Sequence, residues 1–153
     1  MLIKNHLAEL VKGAIQNAQH AGALPAFEIP SVSIERAAKP EYGDYATALP
    51  LKLAREAKRA PLQIAQAIAA HFPQDDAVLK AEAAPPGFIN LKLSEAWLAQ
   101  QVETIVARGA VWGNLENAHP QRIQVEHVSV NPTGPMHVGS GRNGAIGDTL
   151  ANI

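Results

Sequence analysis

Cysteine is absent from the 153 residues. Disulfides and thiolate metal sites are thereby excluded, and a reducing compartment suits the chain. No apolar run is long enough to span a bilayer. The opening stretch carries Lys4, His6 and Glu9 and lacks the continuous apolar core of a signal peptide. A cytoplasmic chain without membrane association is the expectation. Neither sign of charge prevails: 13 basic side chains face 14 acidic ones, a formal net charge of -1. No global field draws a nucleic acid to such a surface, so any RNA contact has to be local. His6, His20, His71, His119 and His127 fall at no metal-ligand spacing, and no metal site is expected.

What is present is a 47% hydrophobic composition, enough for one sizeable core and the start of a second. Ile3, Leu7, Leu10, Val11, Ala14, Ile15 and Ala18 recur at helical spacing and predict an opening amphipathic helix that stops at Gly22. Val32 and Ile34 alternate with Ser33 and Glu35, which predicts a short half-buried strand. A turn at Pro40, Glu41, Tyr42, Gly43 and Asp44 leads to Thr47, a candidate cap for a second helix burying Leu49, Leu53, Ala54 and Ala57. Pro61 opens a third helix with Ile64, Ala65, Ile68 and Phe72 inward. Residues 78–84 and 88–93 read as two strands joined at Pro85, Pro86 and Gly87. Ser94 caps a fourth helix expected to bury Leu98, Val102, Ile105 and Val106 before Gly109. The aperiodic stretch 110–121 marks a domain junction. Residues 123–130 are rich in Val and Ile, like a parallel strand covered on both faces. A Gly- and Pro-rich loop follows, and then a helix marked by Ile146, Leu150 and Ile153.

That last loop admits two readings. Gly139, Gly141 and Gly144 spell G-x-G-x-x-G, the pattern that sets a pyrophosphate on a helix N-terminus in dinucleotide-binding folds. Such a fingerprint follows its strand directly, whereas here residues 131–138, with two prolines, intervene. The second reading centres on His137, Val138, Gly139 and Ser140. A histidine at a helix start can donate to a phosphate, free backbone N–H groups there favour anions, and glycine allows close approach. Without its flanks, Gly139-Ser140-Gly141 reads first as only a tight helix entry.

The flanks run Val125-Glu126-His127-Val128-Ser129-Val130-Asn131-Pro132-Thr133-Gly134-Pro135-Met136-His137-Val138-Gly139, then Gly141-Arg142 and Gly147-Asp148-Thr149-Leu150-Ala151-Asn152. They resemble the first signature of the class I aminoacyl-tRNA synthetases in the form found in arginyl-tRNA synthetases. Tyr42-Gly43-Asp44-Tyr45-Ala46-Thr47 and Pro86-Gly87-Phe88-Ile89-Asn90-Leu91 resemble two motifs of that family's N-terminal domain, in the same order. The resemblance implies an α+β N-terminal domain, a small sheet packed with helices, over residues 1–115. Residues 116–153 would begin an α/β, Rossmann-like class I catalytic domain. It implies an arginine–tRNA ligase reaction in the whole protein: ATP, with Mg2+, activates arginine, and tRNA(Arg) accepts it. It further implies a monomer at full length, and a 153-residue piece that makes no arginyl-adenylate alone. Two other functions compete: a stand-alone RNA-binding module without catalysis, and part of a dinucleotide-binding oxidoreductase.

Carried over residue by residue, the resemblance places His137 and Ser140 in catalysis, and His137, Gly139, Ser140 and Gly141 at ATP. Ser140 stands where the family usually has a second histidine; serine still hydrogen-bonds but carries no charge. Glu126, Ser129 and Asn131 fall where the family contacts arginine, a cation that suits a carboxylate and neutral acceptors. The alternative is a structural ion pair for Glu126 and a loop cap for Asn131. Phe88, Asn90 and Lys92 share one strand face and Ile89, Leu91 and Leu93 the other. The second set is the core face. A ring, an amide and a cation on the first suit single-stranded RNA, and the resemblance assigns this position to the tRNA D-loop. A helix covering Phe88 is the competing expectation. Lys52, Arg55, Lys58 and Arg59 form a basic cluster on the second helix, read first as a solvated face.

Overall fold

The structure, a computed structural model, describes residues 2–113 and 122–152. The expected junction at 115/116, with His119, lies outside the described residues, as does Ile153. The chain divides into two compact units, Met1–Val106 and Ala107–Ile153.

The first unit is built on a four-stranded antiparallel sheet in the order β1-β2-β4-β3. The strands are β1 (Glu35–Arg36), β2 (Tyr45–Thr47), β3 (Val78–Ala84) and β4 (Phe88–Leu93). Three helices supply most of the rest of the core: α1 (Ile3–His20), α2 (Leu49–Ala57) and α3 (Pro61–Ala70). Apolar periodicity decides which faces they bury. Leu7, Val11, Ala14, Ile15 and Ala18 of α1 are buried, as are Leu53 of α2 and Ile64, Ala65 and Ile68 of α3. Ile89 and Leu91 of β4 are fully buried and Leu93 nearly so, which fixes the strand's register because a one-residue slip would exchange the two faces. Phe88, Asn90 and Lys92 therefore lie on the other face.

The Tyr42–Thr47 motif is a folding element. The Asp44 carboxylate accepts the Leu93 N–H at 2.8 Å, and the Asp44 N–H donates to the Leu91 carbonyl at 2.9 Å. Gly43 sits at φ +88°, and a Cβ there would lie 2.8 Å from the Leu91 oxygen. No larger residue fits that contact. Tyr45 and Thr47 point into the core, and the Thr47 hydroxyl accepts the Leu49 N–H at 3.2 Å.

Three expectations need correction. The first strand, expected over 32–35, is confined to Glu35–Arg36, where the backbone pairs with β2; Ile34 is buried from an extended segment just before it. The fourth helix, α4 (Glu95–Arg108), starts beside Ser94 as expected, with Trp97 N–H donating to the serine hydroxyl at 3.4 Å. It does not bury its apolar stripe: Leu98, Val102, Ile105 and Val106 are between 40% and 75% exposed. Trp97 packs against the core, but α1, α2 and α3 already close that face, so periodicity produced an apolar stripe with nothing to cover it in this unit.

The third correction lies in the second unit. Residues 122–130 form no strand, and Ile123, expected to be covered on both faces, is 80% exposed. A parallel strand needs a hydrogen-bonded neighbour, and the described residues provide none there. Of the expected strand, loop and helix, only the loop and the helix, α5 (Val138–Ala151), are formed. The extended segment still packs on α5, because Gly147 leaves room for it. A Cβ on Gly147 would fall 1.9 Å from the His127 Cβ.

Candidate functional site

Two hollows gather the residues singled out in the sequence. The one in the first unit lies on the outer face of the sheet. It has a volume of about 500 Å³ and is lined by Phe88 and Asn90 of β4, Ala46 of β2, Glu35 and Arg36 of β1, Tyr42, and the Ala84–Pro85 end of the β3–β4 turn. Cross-strand register builds its floor: Glu35 faces Ala46, Ala46 faces Asn90, and Ala84 faces Phe88. Among the described residues no helix covers Phe88, which is half-buried within the hollow, as is Asn90. Lys92 is exposed further along the same face and does not line it.

Tyr42 and Arg36 were not marked as site residues in the sequence. Tyr42 is 42% exposed, the Lys39 ammonium lies 5.8 Å from its ring centroid, and the Arg36 guanidinium lies 5.7 Å from that of Tyr45. Both rings belong to recognised motif residues, but a turn tyrosine shows its contact with a strand two elements away only after folding. An aromatic wall, a second ring, an amide and a cation together form a surface that can stack a flat base and read its edge.

None of the basic cluster lines this hollow, although Lys52 lines a neighbouring one that shares Glu35 and Ala48 with it. Lys52, Arg55, Lys58 and Arg59 are exposed, and Arg59 donates to the Ala23 carbonyl at 2.5 Å, a structural tie. His6 and His71 are likewise structural: His6 Nε2 lies 2.9 Å from the Asp75 carboxylate, and His71 Nδ1 lies 2.8 Å from the Ala67 carbonyl.

The hollow in the second unit, about 370 Å³, is lined by Ser129, Val130, Asn131, His137, Gly139, Ser140, Arg142 and Asn143. His137 caps α5 in an unexpected way. Its Nδ1 accepts the Gly139 N–H at 3.1 Å, and its carbonyl accepts the N–H groups of Ser140 at 2.9 Å and Gly141 at 3.2 Å. Those N–H groups are therefore engaged, and the cap assigns the tautomer. With Nδ1 accepting, the neutral ring carries its proton on Nε2, the nitrogen left to donate to an anion.

Ser140 is buried. Glu126 is exposed and does not line this hollow, nor does Gly141. The reason for seeking a partner for Glu126, a charge inside an apolar strand, disappears with the strand. Arg142 and Asn143 line the hollow instead, one turn into α5; they follow Gly139 by three and four residues and so share its side of the helix. Gly139, Gly141 and Gly144 all fall inside the helix, whereas a dinucleotide fingerprint puts its first glycines in the turn before it.

Comparison with known proteins bears on the whole chain. Residues 5–93 match the family described as "Arginyl tRNA synthetase N terminal domain". The chain is 41% identical over 153 residues to an arginine–tRNA ligase of Dehalococcoides mccartyi (strain CBDB1), covering 100% of this chain and 27% of that protein. It is 38% identical over 152 residues to the arginine–tRNA ligase of Bacillus subtilis (strain 168), covering 99% and 27%. Among solved structures, the arginyl-tRNA synthetase of Thermus thermophilus matches with a TM-score of 0.56 and 29% identity, over 98% of this chain and 23% of that one. The chain thus spans about a quarter of the length of these curated relatives.

Proposed function

Because the chain belongs to the arginyl-tRNA synthetase N-terminal domain family, we propose that it is the front part of an arginine–tRNA ligase, meeting tRNA(Arg) with its first unit and ATP and arginine with its second. The outer sheet face, with Phe88 and Asn90 in the hollow and Lys92 beyond it, takes an unstacked base of the D-loop and its neighbouring backbone. Ser129 and Asn131 offer neutral acceptors to arginine; the exposed carboxylate of Glu126 joins them only if segment 122–130 is drawn into a sheet.

The observation that carries the catalytic half is the His137 cap. A ring whose Nδ1 is held by the Gly139 N–H at 3.1 Å is oriented, and its Nε2–H is available where negative charge builds on the α-phosphate as arginine attacks. A pre-oriented donor aimed at developing charge lowers the barrier without reorganising. Ser140, in place of the second histidine, contributes at most a neutral hydrogen bond. Magnesium enters with the ATP phosphates as part of the substrate, and no protein ligands are assigned to it. The products are arginyl-adenylate and pyrophosphate; the tRNA then accepts the arginyl group, and no covalent bond to the protein is needed.

The test is arginine-dependent ATP–pyrophosphate exchange by the longer polypeptide that carries this chain. His137→Ala should lower the exchange rate on the order of 100-fold, as loss of one such donor does, with little change in the KM for arginine. An unchanged rate would show that the cap is only a helix entry. Phe88→Ala should leave exchange intact and weaken tRNA binding by about 1–3 kcal/mol, the worth of a stacked base.

A further inference from the structure

The strand register brings together two lysines that are far apart in sequence. Lys80 of β3 lies directly opposite Lys92 of β4, on the outer face that also carries Phe88 and Asn90. A bulge sets this up. Val78 pairs with Leu93 and Lys80 with Lys92, so Leu79 is an extra residue between the two pairings, and it is 63% exposed. Without the bulge, Leu79 would face Lys92. Bulges re-aim side chains, and this one places a second ammonium beside the first.

Opposed residues of an antiparallel pair stand about 5 Å apart at Cβ, and like charges there are unfavourable. The arrangement is therefore not explained by the stability of the sheet. Lys80 is half relieved by an ion pair with Glu82, next along the same face and opposite Asn90. Lys92 has no carboxylate partner among the described residues. From one end to the other, the face presents an apolar hollow at Phe88, a polar centre at Asn90 and Glu82, and two cations. Phe88 and Lys92 are four residues apart, about 13 Å along the strand. A phosphate at the lysines would then belong to a different nucleotide from the base at Phe88.

We propose that Lys80 and Lys92 together hold a backbone phosphate of the RNA strand whose base enters the Phe88 hollow, with Glu82 as the internal competitor that the phosphate displaces from Lys80. This rests on the reading that the outer sheet face meets tRNA. The bidentate character comes from two chains converging on one anion, and the bulge is its structural cause.

The test is titration of the 153-residue chain with tRNA(Arg) transcript at several salt concentrations. The double variant Lys80→Ala/Lys92→Ala should bind more weakly and lose about one unit of the log K against log salt slope. Glu82→Gln should bind more tightly, since it frees Lys80. Phe88→Ala should bind more weakly at an unchanged slope. Lys92→Ala alone should unfold no more easily than the parent, because it removes a like-charge pair; this separates lost contact from lost fold. An unchanged slope in the double variant, with Phe88→Ala still weakened, overturns the phosphate site and leaves the base hollow standing. If Phe88→Ala also binds like the parent, or the parent itself binds no tRNA at low salt, both readings fail.

Discussion

Phe88 stands on a strand whose alternate residues, Ile89 and Leu91, are fully buried, whereas His137 opens a helix in which Ser140 and Gly147 are the buried residues among those described. Phe88 is aimed by register: moving it off the outer face would drag three core side chains out of the core. His137 is aimed by a short ring-to-backbone hydrogen bond and two carbonyl contacts within its own first turn. A side chain can thus be positioned by a whole core or by a local cap, and the two should respond very differently to mutation.

The largest expected effect comes from breaking the first kind of support. Ile89→Ala removes three carbons from a fully buried site and should cost about 2–5 kcal/mol of stability. Denaturant unfolding followed by far-ultraviolet circular dichroism measures it, and tRNA binding through the Phe88 face should fall along with the folded fraction. A cost below about 1 kcal/mol would mean that the strand is not held by its core face.

Gly147→Ala probes the second kind. Alanine favours a helix over glycine by about 1 kcal/mol, so α5 by itself should gain. The new Cβ, however, would meet the His127 Cβ at 1.9 Å, and overpacking of that sort costs about 1–3 kcal/mol. The expected outcome is an intact helix with the 122–130 segment displaced from it, seen as faster amide exchange at His127 and Val128 and unchanged protection in α1 and α3. Equal protection throughout would show that the segment does not rest on Gly147.

These contrasts also mark what was legible beforehand. Residues 78–84 and 88–93 were readable as strands, with the inward set Ile89, Leu91 and Leu93, because a period of two beside a Pro-Pro-Gly turn has one good solution. The helices α1, α2 and α3 were readable from their stripes for the same reason. What failed depended on partners. The 123–130 segment has the composition of a parallel strand, but composition does not provide a neighbour to bond. The stripe on α4 has helical periodicity, but periodicity says that a face is apolar and not that it is covered. Motif position singled out His137, Asn131, Phe88 and Asn90, which line the two hollows. Tyr42 came to its hollow through the turn before β2 and Arg36 through the pairing of β1 with β2, while Arg142 and Asn143 came to theirs through helical spacing from Gly139; the partners in the first hollow are far apart in sequence. The bulge that sets Lys80 opposite Lys92 is also invisible to alternation, since one extra residue leaves both flanking patterns intact.

The smallest expected effect tests the exposed stripe, which belongs to the well-packed unit and yet lies outside its core. Val102 of α4 is 59% exposed, so Val102→Lys should change the stability of the chain by no more than about 0.5 kcal/mol, the usual range for a surface position. Lysine is at least as good a helix former as valine, so local propensity does not oppose the change. Two of the chain's positions then make a matched pair: Ile89 and Val102 are both branched apolar residues at periodic positions, and sequence alone predicts burial for each. If unfolding of Val102→Lys in denaturant shows a loss above about 1 kcal/mol, the stripe on α4 is covered in solution and its exposure is refuted. If the variant matches the parent while Ile89→Ala unfolds readily, burial follows the sheet and the three helices packed on it, and the apolar period of α4 contributes nothing to the stability of the unit.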